Sequence, residues 1–122
     1  MTDYKNYKVW QKSHSLVLEI YQVSKHFPSE EKFNLISQID RAALSIPTNI
    51  AEGCGRQSQK EFHHFLHISS GSAFEMEYLI EVSRDLKFID NNTSESLLSD
   101  ISEIKKMFFS LIQKVKTEIK KA

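Results

Sequence analysis

Glu61, His63, His64 and His67 are the densest group of metal-ligating side chains in the sequence. His63 and His67 stand one helical turn apart, a spacing that can chelate zinc, but a structural zinc site normally takes four ligands and Cys54 is not at a ligand spacing. Glu61 precedes His64 by three. A di-iron centre in a helical bundle takes that Glu-x-x-His motif from two helices, with a further Glu from each of the other two, and the chain has no second copy. The histidines are therefore read as a solvated helix face, with no metal and no cofactor. Cys54 lies near a helix C-terminus, away from the positive N-terminal field that lowers a thiol pKa. No nucleophile–base order stands out, and no P-loop or GxGxxG is present to cradle phosphate. The expectation is a non-enzymatic protein.

Arg41, Ser45, Asn49 and Glu52 follow at spacings of four, four and three, which puts them on one polar stripe of a helix, with Glu75 placed to reach it from the next. The stripe is either a hydrogen-bond network that fixes helix or subunit register, or a small polar site; the network is preferred. Ala42-Ala43 and the run Ser69-Ser70-Gly71-Ser72-Ala73 suggest that two backbones approach closely. The alternative is that Gly71 opens room for a ligand.

Four helical patterns position these residues. Val9, Leu16, Ile20, Val23 and Phe27 recur on one side of the first, which stops before Pro28. Ser29, with Glu30 and Glu31 behind it, is read as the cap of the second. Its stripe is Ile36, Ile39, Ala43, Ile46 and Ile50, with a kink expected at Pro47 and left-handed closing residues at Gly53 and Gly55. Ser58 and Glu61 form a capping box for the third, which has one stripe of Phe62, Leu66, Ser69, Ala73, Met76 and Ile80 and a second of Phe65, Ser72, Leu79, Val82 and Leu86. A turn at Asn91-Asn92-Thr93-Ser94 leads to the fourth, with a heptad seam of Leu97, Ile101, Ile104, Phe108, Leu111 and Val115. Short connections predict one domain spanning residues 1–122, all-α, an antiparallel up-down-up-down four-helix bundle. No apolar run reaches the ~18 residues of a membrane helix. With a lone cysteine and no secretory h-region, the expected setting is the cytoplasm, with no membrane partner.

Phe74, Tyr78, Phe109 and Ile112 lie outside the core stripes, as does Leu18. A monomeric bundle needs one apolar face per helix, so this surplus points to an oligomer interface. Net charge is zero but uneven. Residues 1–25 carry four lysines against Asp3 and Glu19, residues 103–122 carry six against Glu103 and Glu118, and the middle holds six basic residues against twelve acids. In an up-down-up-down bundle both basic ends meet. Lys5, Lys8 and Lys12 would then join Lys114, Lys116, Lys120 and Lys121 in a cationic cluster, a candidate surface for RNA or DNA backbones.

The segments Gln38, Arg41-Ala42-Ala43, Ser45-Ile46-Pro47, Asn49-Ile50-Ala51-Glu52-Gly53, Gly55-Arg56, Lys60-Glu61-Phe62, Phe65-Leu66 and Gly71-Ser72 carry a family resemblance. Together with Val9-Trp10-Gln11-Lys12 and Tyr21…Phe27-Pro28, they resemble the four-helix-bundle proteins encoded in intervening sequences of bacterial 23S rRNA genes. The resemblance covers most of the chain to about Phe88; beyond it only the pattern of the fourth helix matches. It implies a cytosolic homopentamer around a central channel. It also implies similarity to the Avd accessory protein of diversity-generating retroelements, which acts with a reverse transcriptase and nucleic acid, though that relative is strongly basic and this chain is neutral. Two function classes follow: a homo-oligomer binding RNA or DNA through a basic rim, and a structural or protein-scaffolding oligomer without nucleic acid.

Overall fold

The computed structural model describes residues 3–121. Four α-helices run Lys8–Ser24 (α1), Leu35–Cys54 (α2), Gln59–Asp85 (α3) and Asn91–Lys121 (α4), with 3₁₀ turns at Tyr4–Asn6 and Ser29–Glu31 and no strand among the described residues. Each helix buries its apolar stripe in one shared core. Ile20, Ile46, Ile50, Leu66, Met76, Ile80, Ile101 and Phe108 are fully enclosed.

The α2–α3 interface is the most extensive and α1–α4 the sparsest of the four helix pairings. Contacts between particular residues fix how the helices meet. Ser24 near the end of α1 donates to Asp40 near the start of α2 (2.8 Å). Ser69 of α3 donates to the Ile46 carbonyl of α2 (2.7 Å). Lys105 of α4 reaches Glu77 of α3 (2.9 Å), and Gln59 at the start of α3 reaches Glu118 near the end of α4 (3.2 Å). Tyr7, just before α1, lies against Phe62 near the start of α3 (5.7 Å between ring centroids).

Several local expectations change. Ser29 does not cap α2. Pro28 starts a 3₁₀ turn there, and Asn34 precedes α2 without a side-chain cap bond. The Glu31 carboxylate accepts the Leu35 N–H instead (3.4 Å), which lets buried Leu35 open the helix. α2 runs unbroken through Pro47. A proline there forfeits one backbone hydrogen bond and clashes one turn back, at about 3 kcal/mol, which burial of its ring in the core helps to offset. Ser58 caps α3 as expected, accepting the Glu61 N–H (3.1 Å). Asp90 caps α4 by accepting the Thr93 N–H (2.7 Å), so the Asn91–Ser94 segment is the first helical turn itself. Along α4 the buried row passes from Phe108 to Ile112 and Val115, while Leu111 is only half-buried.

The helix-closing role read for the glycines is also corrected. Gly55 is right-handed, and no described glycine has positive φ. The left-handed residue is Lys87 (φ 65°), after α3, where the Phe88 N–H bonds the Ser83 carbonyl (2.9 Å) in a Schellman closure. Gly53 has a different task. A Cβ there would stand 2.8 Å from the Phe65 Cβ and 3.0 Å from Phe62 Cδ1, so only a hydrogen fits where α2 passes α3. Gly53→Ala should therefore destabilise the fold by about 1–3 kcal/mol, the cost of overpacking, measured by urea unfolding; an unchanged midpoint would show that the crossing can open.

Candidate nucleic-acid interface and polar cleft

One end of the molecule gathers the start of α1, the α2–α3 turn and the end of α4. Tyr7, Gln59, Phe62, Lys114, Val115 and Glu118 line a single depression there. Of the seven lysines expected in the cluster, Lys5, Lys8, Lys114, Lys116, Lys120 and Lys121 are exposed. Lys5 lies over the Tyr4 ring (5.9 Å). Lys12 is different. It sits half-buried between α1 and α4, paired with Glu103 (3.2 Å) and Asp100 (3.4 Å). The hydrogen bond Lys12 donates to Glu103, opposed by burial and aided by both carboxylate charges, holds its ammonium above the usual lysine pKa. Its charge is spent within the fold and is not offered to phosphate.

Arg56 and Lys60, on the α2–α3 turn and the first turn of α3, were not placed in this cluster by the sequence reading. Arg56 pairs with Glu52 (3.1 Å) and lies over Phe65 (4.8 Å), and Lys60 is exposed. The signal was available, because a short turn after α2 brings its flanking charges to the end where α1 starts.

The polar stripe divides in three. Ser45 and Ser72 share a hydrogen bond across α2 and α3 (2.8 Å), and the Asn49 side chain donates to the Ser45 hydroxyl (3.0 Å) and carbonyl (2.9 Å). Glu52 turns instead to Arg56. Arg41 and Glu75 both line an open cleft of about 540 Å³, together with Phe33, Gln38, Ser45 and Ser72. Phe33, 89% exposed, belongs to none of the apolar stripes, and the charged run around it gave the sequence reading no reason to single it out.

The small-residue run also divides. Ser69 and Ala73 are buried against α2, whereas Gly71 faces solvent and a Cβ there would meet nothing within 4 Å. The packing expectation therefore does not extend to Gly71. Of the four surplus hydrophobics, Phe74 (55% exposed), Tyr78 (65%) and Phe109 (68%) are open to solvent. Ile112 is 7% exposed and belongs to the core, because α4 turns it, rather than Leu111, inward.

Other titratable groups answer to burial. The Cys54 thiol is pushed up mainly by desolvation, opposite to the need of a nucleophile. His63 is pushed down, first by burial and then by His67 and Lys116. Its Nε2 is enclosed with no hydrogen-bond partner, and its ring packs edge-on to His67 (4.6 Å). No group of three or more His, Cys, Asp or Glu suited to a metal occurs among the described residues. No helix among them is long and apolar enough to cross a membrane.

These features define an all-α four-helix protein with a charged end, a polar cleft and an exposed aromatic face. The chain belongs to the 23S rRNA-intervening sequence protein family, whose profile matches residues 5–110. It is similar to a protein of unknown function from the S23 ribosomal protein family of Bacteroides thetaiotaomicron, known from a crystal structure. The two share 33% sequence identity with a TM-score of 0.80, over 86% of this chain and 95% of that one. No curated protein matches it.

The Ser24–Asp40 pair yields a pH prediction. Burial raises the Asp40 pKa, and the Ser24 hydrogen bond offsets this only in part. The folded state therefore favours the protonated acid, and stability present below the unfolded carboxylate pKa is lost as pH rises through the folded value. Asp40→Asn keeps an acceptor for Ser24 and removes the charge. It should raise the melting temperature at pH 7, with the gain shrinking towards pH 3; a loss at pH 7 would contradict the assignment.

Proposed function

We propose that the chain is a non-enzymatic, cytoplasmic up-down-up-down bundle that assembles as a cyclic homo-oligomer and binds RNA or DNA backbones through its basic end. Five subunits is the number the family resemblance implies. The contacts Ser24–Asp40, Ser69–Ile46 and Gln59–Glu118 each join the early part of one helix to the late part of its neighbour, in keeping with antiparallel packing.

The observation that carries the nucleic-acid reading is the gathering of Lys5, Lys8, Lys114, Lys116, Lys120 and Lys121 at one end, joined by Lys60 and Arg56. None of those six lysines has a salt bridge among the described residues. In a cyclic assembly the cluster repeats as a ring. Phosphates satisfy such a ring by displacing counterions, which makes binding non-sequence-specific and steeply salt-dependent. The second reading, a scaffold without nucleic acid, is favoured by the exposed face of Phe74, Tyr78 and Phe109, which suits a protein partner.

Titrating structured RNA and duplex DNA at several salt concentrations tests the first reading. The log–log slope should be about −0.7 to −0.9 per phosphate contact, and replacing Lys116, Lys120 and Lys121 by Gln should flatten it while leaving the assembly mass unchanged. Absence of binding to either at low salt would leave the scaffold reading standing.

A further inference from the structure

The sparse α1–α4 pairing leaves a groove of about 440 Å³ whose floor is Val9, Met107 and Leu111. Three lysines, Lys8, Lys106 and Lys114, stand around it with one acid, Glu103. That acid is already held by Lys12, so the free charge of the rim is positive. Half-buried Leu111 lines this groove although its spacing suits a core seam.

A second unpartnered surface lies on the other flank of α4. Gly71, Phe74, Glu75 and Tyr78 share one face of α3, since they are spaced by three, four and seven, with Glu81 at its margin. Phe109 extends it from α4, one turn beyond Lys105, which bridges to Glu77 and lies over the Phe74 ring (4.4 Å). This face is apolar with acidic flanks, while the groove is apolar with a basic rim. Their lengths also agree: Gly71 to Tyr78 covers about 10 Å of helix, as does Met107 to Lys114, at about 1.5 Å per residue.

Gly71 supplies an independent argument. An exposed glycine in the middle of a helix costs about 1 kcal/mol relative to alanine, and nothing in the monomer occupies the space its missing Cβ leaves. A helix that must approach another backbone closely needs that space.

We propose that the α1–α4 groove receives the Gly71–Tyr78 face of α3 from a second copy of this chain, with Glu75 and Glu81 meeting Lys106 on its rim. The inference rests on the homo-oligomer part of the proposed function and names the two surfaces that meet. They differ from each other, so the contact is head-to-tail, the kind that closes into a ring of three or more subunits when its rotation permits.

Sedimentation of the full chain across the micromolar range tests this. Lys106→Glu with Ser110→Glu places like charges at the contact, as does Glu75→Lys with Glu81→Lys, and each pair should weaken assembly at least about tenfold. All four changes in one chain restore complementarity and should recover the assembly. Gly71→Leu should raise the melting temperature of the dissociated chain yet weaken assembly, a combination that a purely structural glycine does not give. A wild-type chain that stays monomeric overturns the oligomer reading and this inference with it. A wild-type oligomer indifferent to the charge reversals, or not recovered by the fourfold variant, overturns the groove docking alone.

Discussion

Everything in this molecule is arranged around how closely α2 can lie on α3. Gly53 leaves room for only a hydrogen beside Phe65, Ala43 and Ala73 are fully enclosed, and serine hydroxyls bond directly across the seam at Ser45–Ser72 and Ser69–Ile46. Hydrogen bonds between such short side chains exist only if the two backbones stay close. Packing at interior density resists any change in that separation. The buried polar groups share the logic. Ser13 and Ser83 donate to carbonyls one turn back on their own helices, at 2.6 and 2.7 Å, so small hydroxyls fill tight places without leaving an unsatisfied donor.

A tight seam on one side leaves a looser one opposite. α1 and α4 close the core through Leu16, Ile20, Ile101 and Phe108, but towards the basic end they part into a groove. Lys12, with Asp100 and Glu103, bridges the pair where it separates. Phe74, Tyr78 and Phe109 are exposed on α3 and α4.

Much of this was legible in the sequence. All six residues of the first α3 stripe are buried as their period requires, whereas the second is buried only at Leu79 and ends in exposed Leu86; Ser58 caps that helix through the box its spacing announced. Lys8 and Lys114, from the two basic ends, border one groove. What the sequence hid was decided by packing between helices. A heptad seam assumes 3.5 residues per turn, and an uncoiled helix drifts about 20° per heptad, enough to favour Ile112 over Leu111 near the end of α4. The glycine residue type does not say whether φ or close approach requires it, so Gly53 was read as a cap and Gly71 as packing. The pairing of Lys12 depends on which acids α4 turns towards α1, and no local pattern encodes that.

Hydrogen–deuterium exchange on the wild-type chain at low and high protein concentration reads both halves of the account together. The amides of α2 and α3 along the Gly53–Phe65 and Ser45–Ser72 seam should be the slowest at either concentration, since they open only with global unfolding. Residues 74–78 of α3 and 107–114 of α4 should exchange faster in the dilute chain and gain protection together as concentration rises. Equal protection of both regions at all concentrations, or a seam that exchanges faster than the α1–α4 groove, would contradict it.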